Sequence, residues 1–205
     1  MDARVAVLAS GAGTNLLALL DDPVVGRSIA LVVSDRPGAA ALERARARGV
    51  RAEFLDPAQH PDRTGYGRAL LELLDREGVE HVVMAGFMRI LAPEVVRAFE
   101  GRMLNIHPSL LPAFPGAHAV GEALSWGAKV SGVTVHLVDE EVDHGPIVLQ
   151  EPVPISPGDD EAALHARIQE VEHRLYPRAV RLLVEGRLKV EGRIVHVLGE
   201  EHDLE

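Results

Sequence analysis

Apolar segments of strand length alternate with helical patterns through the first half of the chain. The predicted strands lie at 4–9, 29–33, 50–55 and 81–85; the first is a β-branched apolar run, and the third is weaker because it is partly polar. Helical patterns lie between them, one beginning near Thr14 and the others covering 38–49 and 66–77. This alternation is typical of a parallel sheet with helices on both faces and right-handed crossovers.

The pattern becomes less regular after Gly86. Residues 93–99 are predicted to form a short helix with a proline in its first turn, followed by a strand that begins at Arg102. Residues 108–116 contain three prolines, which favours an ordered loop. Pro177 predicts a kink or break in a long helix. The remaining predictions are helices at 117–126 and 159–185, strands at 130–138 and 147–153, and a hairpin formed by 188–190 and 194–197.

The length of the chain is sufficient for one well-buried domain. Its 205 residues, 47% of them hydrophobic, contain no repeat, linker or low-complexity segment. We therefore expect a single α/β domain over 1–205, with a mostly parallel, twisted, Rossmann-like sheet, helices on both faces and a carboxyl-terminal hairpin.

Charge and composition exclude several classes of function. The net charge of −10, without any Lys/Arg run, argues against a nucleic-acid partner. The absence of cysteine excludes disulfides and thiolate sites, and ten scattered histidines without an HExxH spacing predict no metal site. Residues 1–4 do not resemble a signal peptide, and no segment has the length of a membrane span. We expect a cytoplasmic protein without a membrane partner.

An amide and an imidazole lie where the strand beginning at Arg102 ends. Asn105 and His107 are two positions apart, so on a strand both side chains point to the same face. The carboxyl ends of strands are the usual ligand sites of α/β sheets. Asn donates hydrogen bonds and His carries a proton near neutral pH, which suits the stabilisation of an oxyanion. The alternative is a polar strand end closed by a proline turn.

A glycine turn connects the first strand to the first helix. Its sequence, SGAGTN at 10–15, offers backbone N–H groups and a helix N-terminus to an anion such as a terminal phosphate. Leu16 stands where a dinucleotide fingerprint has its third glycine, although Asp35 could serve as the ribose-binding acid of an oxidoreductase-like domain. A further alternative is a tight turn in which Thr14 or Asn15 caps the helix.

Two acidic residues are weaker candidates. Asp143 would raise the pKa of His107 and keep it protonated if the two met, but it is one of four acids between 139 and 143. Glu172 lies beside the apolar stripe of the long helix and could reach a cleft, although a solvated helix acid is the commoner case.

Taken together, these segments are more specific than any one of them. The chain resembles the phosphoribosylglycinamide formyltransferases, the folate-dependent enzymes of purine synthesis. The similarity extends over nearly the full length, through SGAGTN at 10–15, AGFMRIL at 85–91, NIHPSLLPAFPG at 105–116, GVTVHLVDEEVDHGPIVLQ at 132–150 and EHRLYP at 172–177. The glycine loop and EHRLYP point to the glycinamide ribonucleotide enzymes within the wider group of folate formyltransferases.

The resemblance implies direct transfer of a formyl group from 10-formyltetrahydrofolate, a co-substrate, to the amino group of glycinamide ribonucleotide. Asn105, His107 and Asp143 would be the catalytic residues. The substrate would be bound by Gly13, Thr14, Asn15, Gly86 and Glu172. The chain would then divide into a phosphate-binding half, about 1–100, and a folate-binding and catalytic half, about 101–205.

The resemblance also implies a folate pocket and leaves the oligomeric state open between monomer and homodimer. Besides Asn105 and Asp143, the pocket would be formed by Met88, Arg89, Ile90, Leu91, Asp139, Glu140, Glu141 and Val142. Arg63 would lie near the folate tail, where a cation suits the glutamate carboxylates.

Related folate enzymes are the nearest alternatives. A methionyl-tRNA formyltransferase is expected to carry an extra carboxyl-terminal domain and basic surface, whereas this chain ends in EEHDLE. A formyltetrahydrofolate deformylase is expected to carry an additional amino-terminal domain, whereas this chain starts directly in its first strand. A non-enzymatic nucleotide-binding domain would leave Asn105, His107 and Asp143 without a purpose.

The chain departs from some relatives at two positions. Ala113 stands where some carry lysine, which would slightly weaken the attraction of anionic substrates. His144 stands where some carry glycine, and a glycine position can require a positive φ. Neither departure involves the predicted catalytic residues.

Overall fold

A computed structural model describes residues 3–199 of the chain. Within these residues, nine strands form one sheet in the order β3-β2-β1-β4-β5-β6-β7-β9-β8. The strands are β1 (Val5–Leu8), β2 (Ile29–Ser34), β3 (Arg51–Phe54), β4 (His81–Met84), β5 (Met103–His107), β6 (Val130–Leu137), β7 (Ile147–Pro154), β8 (Leu188–Glu191) and β9 (Ile194–Val197). The predictions made for 1–2 and for the acidic residues 200–205 lie outside the described residues.

Seven α-helices accompany the sheet in the described part of the chain. They are α1 (Thr14–Asp21), α2 (Val25–Ser28), α3 (Ala40–Ala47), α4 (Arg63–Arg76), α5 (Pro93–Ala98), α6 (Ala119–Ser125) and α7 (Glu161–Val184). The short helix α2 and a 3-10 turn at Pro57–Gln59 were not predicted, because segments of three or four residues are too short to show a helical period.

The mostly parallel sheet is confirmed. Strands β1 to β5 pair only in parallel with one another, whereas β6 pairs antiparallel with both β5 and β7. The predicted carboxyl-terminal hairpin is the antiparallel pair β8–β9, and β9 joins it to β7. The helix-strand alternation of the first half thus corresponds to the parallel part of the sheet.

Alternating side chains of each central strand supply two hydrophobic cores. Val5 and Val7 of β1 pack in a core with α1, α3 and α7, and Ala6 and Leu8 pack in a second core with α4 and α5. The strands therefore read as continuous apolar runs because both of their faces are buried.

The long helix α7 is continuous, so Pro177 does not break it, and a kink at Pro177 stays a prediction. Pro177 is buried within α7, which extends unbroken to Val184. The adjacent Tyr176 is also fully buried, and its hydroxyl donates to the carbonyl oxygens of Met84 at 2.7 Å and Leu104 at 3.2 Å. We attribute the continuity to this packing, which outweighs the local cost of one missing helical hydrogen bond.

The carboxyl ends of three neighbouring strands lie level with one another. Leu8 of β1 pairs with Met84 of β4, and Met84 pairs with Asn105 of β5. The glycine turn after β1 and the loop after β4 therefore leave the sheet at the same edge, beside Asn105. This edge carries the candidate site.

Candidate active site

The end of β5 presents Asn105 and His107 on the face of the sheet that carries α4 and α5. The intervening residues Leu104 and Ile106 pack in the opposite core, with α1 and α7, whereas Met103 packs in the core with α4 and α5. Strand alternation therefore directs Asn105 and His107 to the same face, as predicted. His107 is only 4% exposed, so its imidazole is almost fully removed from bulk water.

The proline-rich loop after β5 is ordered by hydrogen bonds to β6 and β7. Thr134 Oγ1 accepts from Leu111 N at 3.0 Å and donates to Ser109 O at 2.7 Å. Gln150 Nε2 donates to Leu111 O and Thr134 Oγ1, both at 2.9 Å. These contacts support the predicted ordered loop and fix the segment that carries Phe114 and Gly116.

Asp143 lies in contact with both Asn105 and His107. Its Oδ1 accepts from Asn105 Nδ2 at 3.3 Å, and its Oδ2 is 3.3 Å from His107 Nδ1. Gly116 N also donates to Oδ2, at 2.7 Å. The structure thus brings together the three predicted catalytic residues, although 36 positions separate His107 from Asp143.

The loop carrying Asp143 has a strained turn, but not at the residue that the sequence suggested. Asp143 itself has a φ of 52°, in the left-handed region, whereas His144 is not among the described non-glycine residues with positive φ. A Cβ at the following Gly145 would meet the Leu137 carbonyl oxygen at 1.8 Å. The unusual backbone conformation therefore occurs at Asp143, and the close packing occurs at Gly145. The expectation that the position of His144 requires a positive φ is not supported.

His136 belongs to this cluster and was not predicted as a site residue. It pairs with Asn105 across β5 and β6, and its Nε2 lies 3.2 Å from Asn105 Nδ2 and 3.7 Å from Asp143 Oδ1. Its Nδ1 lies 2.9 Å from the Leu137 carbonyl oxygen, so both ring nitrogens of His136 face polar groups of the protein. The available signal was a single histidine within an otherwise apolar strand pattern.

Asp143 is held as a carboxylate. Burial opposes its ionisation, but hydrogen bonding from His136 and Gly116 and the nearby His107 together lower the pKa of Asp143 below its usual value. A buried negative charge between two imidazoles can hold either ring in place and stabilise a proton that arrives on it.

The predicted effect of Asp143 on His107 is only partly correct. Burial lowers the pKa of His107 below its usual value, and the Phe114 carbonyl and Asp143 oppose this effect without overcoming it. Both ring nitrogens nevertheless face oxygen atoms, since Nε2 lies 2.8 Å from Phe114 O and Nδ1 faces Asp143. Desolvation therefore disfavours the protonated form of the His107 imidazole, whereas the two neighbouring oxygen atoms favour that form.

The glycine turn leaves the N-terminus of α1 without a side-chain cap. Gly13 is the N-cap residue, with a φ of 73°, and a Cβ there would meet Ala41 at 2.9 Å. Neither Thr14 nor Asn15 caps the helix, which contradicts the alternative of a self-capped turn. The uncapped N–H groups remain available to an anion.

Asn15 instead contacts Glu172 of α7. Asn15 Nδ2 donates to Glu172 Oε2 at 2.9 Å, which joins the start of α1 to the long helix. Glu172 is 6% exposed, and its burial raises the pKa of its carboxyl group above the usual value. A buried carboxylate with a single side-chain donor is suited to accept hydrogen bonds from hydroxyl groups of a ligand.

Gly86 and Ser10 connect the ends of β1 and β4. Ser10 N donates to Gly86 O at 3.0 Å, and Met88 N donates to Ser10 Oγ at 2.9 Å. Ser10 Oγ also donates to Asp35 Oδ1 at 2.6 Å, so Asp35 has a structural partner within the protein. These bonds position the predicted substrate residue Gly86 beside the glycine turn.

The residues predicted to form a folate pocket differ in exposure. Met88, Ile90 and Val142 are 63%, 61% and 54% exposed, which is unusual for large apolar side chains. Leu91 is buried in the core with α4 and α5, so its side chain is a core residue. Sequence pattern did not separate these roles, because all four residues are apolar.

Two cations accompany the exposed apolar residues. The Arg89 guanidinium lies over the ring of Tyr66, 5.2 Å from the centroid. Arg63, predicted near the folate tail, is the first residue of α4, one turn before Tyr66, and its side chain is exposed. Arg63 is thus part of the amino-terminal end of α4, and Arg89, which follows β4, contacts the same end of that helix.

The acidic residues before Asp143 face outward. Asp139 is 2.7 Å from His144 Nδ1 and accepts from Glu141 N at 3.1 Å. Glu140 forms an ion pair with Arg97 at 2.8 Å, and Glu141 is exposed. Asp143 is therefore distinguished from its acidic neighbours by its contacts with Asn105 and His107.

The described part of the chain offers neither a cluster of metal ligands nor a membrane-spanning helix. Within residues 3–199, no group of three or more His, Asp or Glu side chains is arranged to hold a metal ion. None of the helices in that range combines the length and apolar character needed to span a membrane.

Comparison with protein families and characterised sequences identifies relatives of the chain. Residues 3–180 match the formyl transferase family. A trifunctional purine biosynthetic protein adenosine-3 from Drosophila pseudoobscura pseudoobscura is 48% identical over 191 residues, which cover 91% of this chain and 14% of that protein. The chain spans 14–20% of the length of five such trifunctional relatives.

Relatives of similar length also match. The phosphoribosylglycinamide formyltransferase of Mycobacterium tuberculosis (strain ATCC 25618 / H37Rv) is 47% identical over 198 residues, covering 93% of this chain and 89% of that protein. The crystal structure of glycinamide ribonucleotide transformylase 1 from Symbiobacterium toebii has a TM-score of 0.93 and 52% identity, and the match covers 96% of this chain and 94% of that one.

Proposed function

Because the chain belongs to the formyl transferase family, we propose that it transfers the formyl group of 10-formyltetrahydrofolate to the amino group of glycinamide ribonucleotide, as a phosphoribosylglycinamide formyltransferase of purine biosynthesis. The similar-length relatives that share 41–47% identity carry this name. The observation that carries the proposal is the contact of Asp143 with both Asn105 and His107, at 3.3 Å in each case.

Asn105 and His107 are the proposed stabilisers of the reacting oxygen. The amine nitrogen attacks the formyl carbon, and the carbonyl electron pair moves to oxygen to form a tetrahedral oxyanion. Hydrogen-bond donors in a site removed from water act strongly on such a charge. The new negative charge favours the protonated imidazole of His107 and works against the burial that lowers its pKa.

Proton transfer completes the proposed reaction. The attacking amine loses a proton, the bond between the formyl carbon and the folate nitrogen breaks, and that nitrogen gains a proton. Asp143 holds the imidazole of His107 while the proton moves, and its low pKa keeps it ionised for this role. No covalent bond to the protein is required in this scheme.

The glycine turn and Glu172 are the proposed substrate site. The uncapped N-terminus of α1, with Gly13, Thr14 and Asn15, would bind the phosphate of glycinamide ribonucleotide. Glu172, oriented by Asn15, would accept hydrogen bonds from the ribose hydroxyls. Gly86 would line this site, because its carbonyl oxygen is bonded to Ser10 N within the turn.

The exposed apolar side chains support the proposed folate site. Met88, Ile90 and Val142 offer an apolar surface of the kind that a pterin or benzoyl ring covers. The backbone of Leu91 and residues 139–143 would complete the pocket. Arg63 and Arg89 would face the glutamate carboxylates of the tail. Cytoplasmic location, the absence of a nucleic-acid partner and a monomeric or homodimeric state stay predictions.

A transfer assay tests the proposed function. The full chain is incubated with 10-formyltetrahydrofolate, with and without glycinamide ribonucleotide, and both formylated product and free formate are measured. We expect formylated ribonucleotide only when the amine is present and little formate without it. Equal folate consumption without the amine would instead indicate a deformylase and would overturn the proposal.

The double variant Thr14→Ala/Asn15→Ala is expected to weaken binding of the phosphorylated substrate selectively. It removes polar groups at the start of α1 and the donor that orients Glu172. The KM for glycinamide ribonucleotide should rise about tenfold or more, as expected for lost hydrogen bonds to charged groups. Steady-state kinetics should show a much smaller change in the KM for the folate, and equal changes in both KM values would contradict the assignment.

Glu172→Gln is expected to stabilise the protein at neutral pH while impairing substrate binding. The folded-state pKa of Glu172 is raised above 4.5 by burial, so stability is lost as pH rises through that folded value and the buried carboxyl ionises. Gln carries no charge and can still accept from Asn15. The variant should therefore melt at a higher temperature than the wild type near pH 8, with the difference shrinking near pH 4.

Kinetics and a matched control complete this test. The KM for glycinamide ribonucleotide should rise by about 10-fold to 100-fold in Glu172→Gln, because a carboxylate acceptor is lost from the ribose site. Glu170→Gln, an exposed residue of the same helix, should change neither property. A destabilised Glu172→Gln with normal KM would refute both the burial cost and the binding role.

A further inference from the structure

A cationic cavity of about 940 Å³ lies along α1 and α7. Both helices pack on the face of the sheet opposite Asn105 and His107. The cavity extends from Thr14 to Pro23, so that it follows α1 over its eight residues, a length of about 12 Å. Its volume is within the range of small-molecule sites, which is roughly 300–1,000 Å³.

The lining of this cavity contrasts with the rest of the protein. The chain has a net charge of −10, yet five of its 21 Lys and Arg residues line this one cavity. They are Arg44, Arg174, Arg178, Arg181 and Arg187. The apolar residues Leu17, Ala18, Pro177 and Leu182 complete most of the wall. A local concentration of guanidinium groups in an acidic protein is expected to attract a small anion rather than a large polyanion.

The acidic residues of the lining are already neutralised. Asp21 pairs with Arg48 at 2.5 Å, and Asp22 pairs with Arg181 at 2.5 Å and accepts from the N–H groups of Val24 and Val25. Both carboxylates of the lining are therefore already occupied by hydrogen-bond donors of the protein. Among the arginines of the lining, Arg174 pairs with Glu151 and Arg187 pairs with Glu185, so Arg44 is the guanidinium group that stands without a described carboxylate partner.

Two residues of the lining have unused hydrogen-bonding capacity. Arg44, which is partly buried on α3, makes no hydrogen bond or ion pair with any described residue. Arg181 bonds Asp22 through Nη2, but its buried Nε has no acceptor among the described residues. A buried donor without an acceptor is costly, and an anion with several oxygens could supply it.

We propose that this cavity is a second anion site, which binds a phosphate-bearing small molecule beside α1 through Arg44 and Arg181. The site is separate from the proposed folate pocket, and it meets the proposed substrate site only at Thr14. Bound anion would therefore contact the helix whose N-terminus receives the substrate phosphate.

Titration calorimetry with inorganic tripolyphosphate tests this site. Wild-type protein, with glycinamide ribonucleotide saturating, is compared with Arg44→Gln and with the double variant R44Q/R181Q. We expect wild-type binding to persist under saturation, and its affinity to fall at least about tenfold in the double variant and less in the single one. The single variant guards against misfolding, because Arg44 has no described partner to lose.

The control is R68Q/R76Q, which removes two exposed arginines from α4 on the other face of the sheet. It should bind tripolyphosphate as the wild type does. Equal binding by both double variants, no binding, or displacement by glycinamide ribonucleotide would overturn the proposal. If glycinamide ribonucleotide does not bind, the proposed function fails. The anion site is then tested separately, by comparing tripolyphosphate binding of the wild type and the variants without the ribonucleotide.

Discussion

Replacing His107 with alanine is expected to lower kcat for formyl transfer by about 10²–10⁴-fold, the range for a lost general acid or oxyanion donor. The imidazole is 4% exposed, and its Nδ1 and Nε2 face Asp143 Oδ2 and Phe114 O. Its removal deletes a proton donor at the end of β5 and leaves the buried carboxylate of Asp143 without one neighbour. Transition-state stabilisation should therefore be lost with little change in either KM.

The measurement is steady-state kinetics beside thermal unfolding and circular dichroism. His165→Ala, an exposed histidine of α7, is the matched control and should retain wild-type turnover. A folded His107→Ala protein with near-native kcat would exclude His107 from the chemistry. If His107→Ala loses its circular dichroism signal together with its activity, the kinetic measurement is repeated with His107→Asn, which keeps a polar side chain at the site.

Asp143→Asn is expected to lower kcat by about 10²-fold or more and to change the pH dependence of the reaction. The charge of Asp143 raises the pKa of His107 against the larger, opposite effect of burial. Removing that charge lowers the pKa of His107 further. A pH–rate limb that depends on this imidazole should therefore move to lower pH in the variant, and a lowered maximum rate should accompany it.

The structure explains why this substitution is a clean test. Asn retains a side-chain oxygen that can accept from Gly116 N, which bonds Asp143 Oδ2 at 2.7 Å, so the loop keeps one of its anchors. Asp75→Asn, on the exposed side of α4, removes a charge without approaching the site and should leave the pH profile in place. A pH profile unchanged in Asp143→Asn would remove the electrostatic link between the two residues.

Local pattern predicted the part of the site that lies within one strand. Asn105 and His107 share a face because side chains alternate along β5. Their spacing of two positions in the sequence is enough to predict this. The alternating apolar runs likewise predicted the parallel part of the sheet. The edge that carries the site then followed from the usual arrangement of α/β proteins.

Contacts between distant segments were beyond local pattern. Asp143 reaches Asn105 and His107 through a turn in which it adopts a φ of 52°. The residue type at position 143 does not predict this backbone conformation. His136 joins the cluster because β6 pairs with β5 in a register that aligns it with Asn105. The proposed catalytic role of Asp143 came from resemblance to a family, whereas the proximity of Asp143 and His136 to Asn105 came from the structure.

Burial was the other quantity that the sequence did not supply. The pKa of His107 was predicted to rise beside a carboxylate, but it is lowered because desolvation outweighs the neighbouring charge. Leu91 was grouped with Met88 and Ile90, yet it packs in the core whereas the other two are exposed. A break of α7 at Pro177 was one expected outcome, and the buried packing of the surrounding turn keeps the helix continuous there.

The central claim is direct formyl transfer at Asn105, His107 and Asp143, and a single-turnover experiment with labelled formyl folate tests it most directly. Excess enzyme is mixed with the labelled folate, with and without glycinamide ribonucleotide, and the label is followed in protein, formate and product. We predict label passing straight into formylated ribonucleotide in the complete mixture, and remaining on the folate when the amine is omitted. Label attached to the protein, or released as formate at the same rate in both mixtures, would contradict the account.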